Sequence, residues 1–213
     1  MKYFFASIIS TVFFSSCISV GFHDYAKTDY EEAERLIKVL KNDTLLVAYP
    51  TYQEQERILR SAIVMYPEKR AKLEKELIAL ILMRNIDAES ISNAFIKNYK
   101  FSQYLLIPDS LIHDFEEGKE GAFFINDKFK LDSNIKYKNK NPIKFISKRK
   151  REWDLIIGEE LLPNPLPNHM YYRGDLQELL GIEIFDTAIH RLVNIIDRRL
   201  NLFYSNPKQK VYL

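Results

Sequence analysis

The chain is poor in glycine and histidine and has a single cysteine. Its 213 residues include six glycines, four histidines and one cysteine. A lone cysteine excludes a disulfide framework and a multi-cysteine zinc site. Phosphate-cradling loops depend on glycine, and no Walker loop or Gly-x-Gly-x-x-Gly motif occurs, which counts against nucleotide hydrolysis and Rossmann-type cofactor binding. We therefore expect no cofactor and no metal.

Neither sign of charge dominates. The chain has 31 Lys and Arg against 29 Asp and Glu, a net charge of +2. Such a balance creates no overall field that would attract nucleic acid, and we expect no nucleic-acid partner. The densest basic run, residues 148–151, is followed by Glu152 and Asp154, which dilute its field. A solvated loop is its simplest interpretation, and a contact with anionic lipid headgroups is the alternative.

The first apolar stretch is too short to cross a bilayer. Lys2 precedes twelve uncharged and mostly apolar residues, Tyr3 to Phe14. Twelve helical residues cover about 18 Å, whereas the hydrocarbon core is roughly 30 Å thick. An early lysine, an apolar run of this length and the small residues Ser15 and Ser16 are typical of a signal peptide. The pattern predicts export, with residues 1–16 removed.

Cys17 directly follows this stretch. An apolar run, a small residue and then a cysteine resemble the lipobox of bacterial lipoproteins, in which the cysteine is diacylated, the signal is cleaved before it and the new N-terminus is acylated. Phe14 stands where the lipobox usually has an aliphatic residue. The resemblance extends over residues 1–17, and Phe-Phe-Ser-Ser-Cys is similar to the same region of small lipoproteins of the Bacteroidota. The alternatives are an ordinary signal peptide cleaved near Ser19 and an uncleaved anchor.

The resemblance implies a location. A lipidated Cys17 would leave no free thiol in an exported chain. Stable membrane attachment requires two lipid chains or one chain with a second membrane-binding element, and three acyl chains exceed that requirement. In lipoproteins of diderm bacteria, an aspartate after the cysteine tends to retain the protein at the inner membrane. Ile18 occupies that position here, which implies the outer membrane. We expect residues 17–27 to form the lipid attachment and tether, and residues 28–213 to form one α/β domain.

Short apolar runs alternate with amphipathic segments, which predicts an α/β fold in a three-layer-like arrangement. A small mixed, partly parallel sheet is expected between amphipathic helices. Because the helix before the third predicted strand is short for a crossover, that strand has antiparallel pairing as an alternative. The predicted strands are Thr44–Pro50, Gln103–Ile107 and Ala122–Ile125, with Ile143–Ile146 and Leu155–Ile157 as edge strands of an antiparallel extension.

Helix boundaries follow from capping residues and periodicity. Asp87 is predicted to cap a new helix after a break near Asn85, and Gly118 is predicted to end a short helix that Asp109 caps. The last predicted helix has Asp186 as its cap and one apolar stripe from Ile189 to Phe203. The remaining predicted helices are Thr28–Asn42, Gln53–Met65 and one from Pro67 to about Asn85.

Polar side chains follow each of the first three predicted strands. In open α/β sheets, ligands bind beyond the carboxyl ends of the strands, so these side chains are candidates for a binding site. The same residues suit ordinary structure, since aspartate caps helices and Asn-Asp forms turns. The candidates are Tyr49, Thr51 and Tyr52 after the first strand, Asp109 and Ser110 after the second, and Asn126 and Asp127 after the third.

Asp109, His113 and Glu117 are spaced four residues apart, so one helix would place them on one face. Their side chains suit a metal ion or an acid/base pair. Three such residues extend over about 12 Å of helix axis, so at most two converge on one ion, and a solvated helix face explains them better. Ser110 and His113 lack the nucleophile elbow of serine hydrolases.

Together these patterns predict a lipid-anchored envelope protein that acts as a binding or assembly component. Its expected partners are the membrane, through the anchor, and an envelope protein or glycan. The alternative is an envelope hydrolase or transferase on glycan or peptide substrates, with Asp109 and Asp127 as its carboxylates and His113 as a further candidate. The tyrosines and Trp153 are suitable for stacking on sugars.

Overall fold

A computed structural model describes residues 27–126, 129–137, 139, 141–149, 152–163, 166–167, 169–171 and 185–206. The predicted signal peptide, Cys17 and the tether up to residue 26 lie outside the described residues. Asp127 also lies outside them, as do Lys150 and Arg151 of the basic run.

The fold is the predicted α/β type, with a mixed and partly parallel sheet. Strand β1 lies between β2 and β3 and is parallel to both, and β3 continues antiparallel into β4. Two short strands, β5 and β6, each pair with β4. The strands are β1 (Thr44–Tyr49), β2 (Gln103–Pro108), β3 (Ile143–Arg149), β4 (Glu152–Ile157), β5 (Glu160–Leu161) and β6 (His169–Tyr171).

Three helices, within Lys27–Asn42, Arg70–Asn98 and Phe185–Ser205, cover one face of this sheet. Their apolar residues recur every three or four positions and form a stripe that packs on the strands. In the last helix the predicted stripe is buried at every position, from Ile189 to Phe203. The helices in the described part of the chain are α1 (Lys27–Asn42), α2 (Gln53–Met65), α3 (Arg70–Asn98), α4 (Ile112–Glu116) and α5 (Phe185–Ser205), with single 3-10 turns at Pro67–Lys69 and Asp109–Leu111.

The opposite face is covered by the short α4 and by the chain that follows it. Phe115 of α4 contacts Phe124 with ring centroids 5.4 Å apart, and Tyr137 also packs on this cluster. Leu46 and Ile107 supply the strand side of the cluster. The predicted helix end at Gly118 is confirmed, because Gly118 has a φ of 72° and follows the last turn of α4. This second layer is irregular rather than helical for most of its length.

The prediction of a third strand at Ala122–Ile125 is wrong. This segment has one isolated bridge, from Ile125 to Leu131, and lies against the second face of the sheet. A short run of aromatic residues packed on a sheet face has the same apolar pattern as a buried strand. Periodicity therefore does not distinguish a strand from a segment that covers a sheet. The third parallel strand is β3. It was predicted at the sheet edge, but it pairs with β1 on one side and β4 on the other.

The predicted helix break near Asn85 is also wrong. Helix α3 is continuous from Arg70 to Asn98, and Asp87 lies within it as a buried residue. Aspartate favours caps because its side chain bonds to the nearby backbone, but a tertiary partner removes that preference. The Tyr52 hydroxyl donates to the Asp87 carboxylate over 2.5 Å. This bond lets an aspartate lie in mid-helix.

Candidate functional site

A cleft lies at the edge of the sheet where the parallel strands β1, β2 and β3 end, here called the carboxyl edge. It has a volume of about 1490 Å³, larger than the roughly 300 to 1,000 Å³ of typical ligand pockets. Four predicted candidates line it, namely Thr51, Tyr52, Asp109 and Ser110. The strand-end rule therefore located the cleft correctly for the first two strands.

Thr51 and Asp109 join the ends of β1 and β2. The Thr51 backbone N–H donates to Asp109 Oδ1 over 2.9 Å, and the Thr51 hydroxyl donates to the same oxygen. Asp109 was predicted to cap its own helix, but Pro108 occupies the cap position, and the Asp109 carboxylate instead accepts hydrogen bonds from Thr51 at the end of β1. The two neighbouring parallel strands make this contact possible, because their ends lie side by side.

Tyr52 turns the chain from β1 into α2 with a left-handed backbone, at a φ of 55° and a ψ of 27°. A non-glycine residue in that region is uncommon and carries strain that the surroundings must compensate. Its side chain is held by Asp87. Burial is the main cause that raises the Tyr52 pKa, and the bond to Asp87 raises it further. Tyr52 thus keeps its hydroxyl proton at neutral pH and donates a hydrogen bond to Asp87.

Three arginines line the cleft, each with an acidic partner. Arg60 bonds Glu56 Oε1 over 2.7 Å, and Arg84 Nη1 bonds Glu56 Oε2 over 3.0 Å. Hydrogen bonding from Arg60 is the main cause that lowers the Glu56 pKa. Arg57 bonds Glu54 one turn earlier on α2. The cleft therefore combines fixed cations and fixed anions rather than one uncompensated charge.

The wall formed by α3 is largely apolar. Leu82, Met83 and Ile86 line the cleft and are all exposed. Trp153 also lines it but is only 2% exposed, and its ring stacks on Phe145 with centroids 4.6 Å apart. A buried, stacked indole is unavailable as a platform for a sugar. The cleft consequently has a polar side at the strand ends and an apolar side along α3.

Other predicted candidates lie elsewhere. His113 is exposed on α4, where Nε2 lies 3.2 Å from Glu117 Oε1, whereas Asp109 bonds Thr51 at the strand ends. Asn126 holds a local turn, its amide oxygen accepting from the Lys130 backbone N–H. It does not join the cleft because the segment before it is not a parallel strand. Asp127 lies outside the described residues.

Tyr49 lies beside the cleft. It is half-buried and packs against the main core, and burial is the main cause that raises its pKa. Asp109 raises that pKa further, whereas Arg84 lowers it. Tyr49 is therefore near both groups without forming part of the described cleft wall.

Residues from α2 and α3 that line the cleft were missed by sequence reasoning. Glu56 and Arg84 lie 28 positions apart and meet only because the two helices pack against each other. Asp87 was assigned to a cap. No local signal marked Asp87 as buried, because it lies in a mostly polar stretch from Arg84 to Ser90.

No protein-family model, curated protein or solved structure matches the chain. Within the described ranges, no cluster of His, Cys, Asp or Glu is placed to hold a metal ion. None of the described helices has the length and apolar character needed to cross a bilayer. The cleft geometry therefore carries the functional argument.

Proposed function

We propose that the chain is a lipid-anchored protein of the cell envelope that binds a glycan or peptide in the carboxyl-edge cleft. The observation that carries this proposal is the cleft itself, with polar groups at the strand ends facing an apolar helix wall. An amphipathic ligand fits such a pair of walls. The lipobox resemblance around Cys17 supports the anchor.

Binding is favoured over catalysis by the hydrogen bonds that the carboxylates already make within the protein. Asp109 accepts two bonds from Thr51, Asp87 accepts from Tyr52, and Glu56 is held by two arginines. A catalytic carboxyl group must be within hydrogen-bond reach of the proton that it transfers, whereas these oxygens are occupied by partners within the protein. Acceptors held in place in this way suit the recognition of hydroxyl and amide groups.

Replacing Cys17 with alanine is expected to abolish lipid attachment. In cells fed an alkynyl fatty acid, the wild-type chain and the control Ser19→Ala should both be labelled. The acyl chains are attached only to the Cys17 sulfur and to the Cys17 amino group that cleavage exposes. Gel fluorescence after click conjugation measures the label. Label that persists in Cys17→Ala would contradict the anchor, and a mature chain that begins near Ser19 would indicate an ordinary signal peptide.

A photoreactive residue in the cleft is expected to capture the ligand. Benzoylphenylalanine at Leu82, which lines the cleft, should form an adduct in illuminated envelopes in several-fold higher yield than the same residue at Ile96. Both positions lie on α3 and both are 56% exposed, so they differ in location and not in accessibility. Mass spectrometry of the adduct should identify a glycan or peptide of the envelope.

Crosslinking and a turnover assay together separate binding from the alternative hydrolase or transferase function. Equal yields at Leu82 and Ile96 would contradict a ligand in the cleft. If the purified chain degrades isolated envelope glycan or peptide, and Asp109→Asn abolishes that turnover, the hydrolase or transferase function replaces the binding function.

A further inference from the structure

Two helices project from the domain as an arm that has no core of its own. The arm comprises α2, the turn at Pro67–Lys69 and the first part of α3, up to Ile86. None of its residues, 53–86, is buried, whereas the rest of α3 is anchored in the core by Ile91, Ala94 and Phe95. Thirteen residues of α2 extend over about 20 Å, so the arm reaches about that far beyond the carboxyl edge.

The end of the arm exposes a cluster of apolar and aromatic side chains, here called the tip. Val64 is 81% exposed, Met65 63% and Tyr66 47%. The Lys69 ammonium lies over the Tyr66 ring, 5.3 Å from its centroid. Aliphatic residues flanked by a tyrosine and a lysine form the composition that favours a membrane interface, where apolar groups enter the acyl region and the polar groups remain among the headgroups.

Helix α1, which the predicted tether precedes, begins on the side from which the arm projects. Lys41, at the end of α1, donates to the Phe101 carbonyl over 2.6 Å, and Phe101 shortly precedes β2. The end of α1 is therefore at the edge opposite the cleft. The buried residues of α1, from Ala33 to Leu40, lie along the sheet. The 16 residues of this helix extend over about 24 Å. Its first residue, Lys27, is consequently at the carboxyl edge.

The tether is long enough for the tip to reach the bilayer. Ten Cα–Cα steps separate Cys17 from Lys27 and extend over at most about 33 to 36 Å. That reach exceeds the roughly 20 Å length of the arm. A domain held by Cys17 can therefore approach the surface until the tip touches it.

We propose that the tip inserts into the leaflet that holds the acyl chains of Cys17, with Val64 and Met65 among the lipids and Tyr66 and Lys69 among the headgroups. This rests on the proposed lipid anchor. Anchor and tip then form two attachment points on one side of the domain. The cleft, at the base of the arm, faces the membrane surface, so its ligand is one found close to that surface.

A fluorescent probe at the tip tests this arrangement. The full lipidated chain carries Met65→Cys or, as control, Ile96→Cys, each labelled with a nitrobenzoxadiazole group and reconstituted into phosphatidylethanolamine–phosphatidylglycerol vesicles that contain nitroxide lipid. Ile96 is comparably exposed but lies near the other end of α3, about 39 Å from Arg70 at the tip end. We expect several-fold stronger quenching at residue 65 than at residue 96, and weaker quenching at residue 65 when Val64→Asp is added.

The outcomes separate this proposal from the lipid anchor. Wild-type chain has no thiol other than that of Cys17, so labelling of wild type by the probe would show that Cys17 is not lipidated. If wild type incorporates the alkynyl fatty acid and the two probes are quenched equally, the anchor stands and membrane insertion of the tip is wrong. Oxidative crosslinking of Met65→Cys between two copies without quenching would assign the tip to a dimer instead.

Discussion

Replacing Phe95 with alanine is expected to lower the free energy of unfolding by about 3 to 5 kcal/mol. Phe95 is fully buried where α3 meets the sheet. Its ring lies 5.2 Å from that of Tyr104 on β2 and 5.6 Å from that of Phe145 on β3, measured between centroids. Truncation removes these contacts and leaves a cavity that rigid neighbouring rings cannot fill. Urea unfolding followed by circular dichroism measures the change.

Ile96 provides the matched control for Phe95. It is the next residue of the same helix but is 56% exposed, so Ile96→Ala should change the free energy of unfolding by no more than about 0.5 kcal/mol. Small domains have only about 5 to 15 kcal/mol of stability, so the loss at Phe95 is a large fraction of the total. Equal losses for the two variants would mean that α3 does not pack on the sheet as described.

Neutralising Glu116 is expected to cost about 3 kcal/mol, because it leaves a buried ammonium group without its counter-ion. Lys144 lies in the middle of the sheet on β3, with its side chain 6% exposed, and its Nζ donates to Glu116 Oε1 on α4. Glu116 is itself 36% exposed, which places the expected loss for Glu116→Gln at the low end of the range for buried pairs. Urea unfolding again measures it.

Lys144→Met separates the ion pair from simple packing. Methionine fills a similar volume without a charge to desolvate, so this variant should lose less than about 1 kcal/mol. In the double variant, Glu116→Gln should add little to the loss caused by Lys144→Met, a coupling that a double-mutant cycle detects. If Glu116→Gln lowers the free energy of unfolding equally in the wild-type and Lys144→Met backgrounds, the Glu116 carboxylate stabilises the fold through a group other than Lys144.

The parts of the fold that sequence predicted well depend on local pattern. The strands at Thr44–Tyr49 and Gln103–Pro108 and the helix at Gln53–Met65 have the predicted bounds to within one residue. In each case, a proline, a capping signal or a simple apolar run identifies the element without reference to the rest of the chain. The stripe of the last helix is likewise a property of its own spacing.

The errors concern residues whose conformation depends on distant partners. Asp87 has the local signature of a helix cap and yet continues a helix, because Tyr52 lies across from it. Ala122–Ile125 has the local signature of a strand and yet covers a sheet face, because α4 presents Phe115 to it. Local propensities differ by about 1 kcal/mol or less per residue, so one buried contact outweighs them.

The candidate site shows the same division. The strand-end rule placed Thr51 and Tyr52 beside Asp109 and Ser110, since parallel strands end at one edge. The strand-end rule could not add Glu56 and Arg84 to the site, because these two residues meet only where α2 packs on α3.

By itself, the sequence determined the α/β class, the bounds of several helices and strands, and the lipobox-like pattern at Cys17, because these depend on residue order over short stretches. Only the tertiary structure decided that Asp87 and Arg84 join the cleft, that β3 lies inside the sheet and that an uncovered arm projects from the carboxyl edge. Those features depend on contacts between residues far apart in the chain. Such contacts follow from burying apolar surface across the whole domain, which no local spacing encodes.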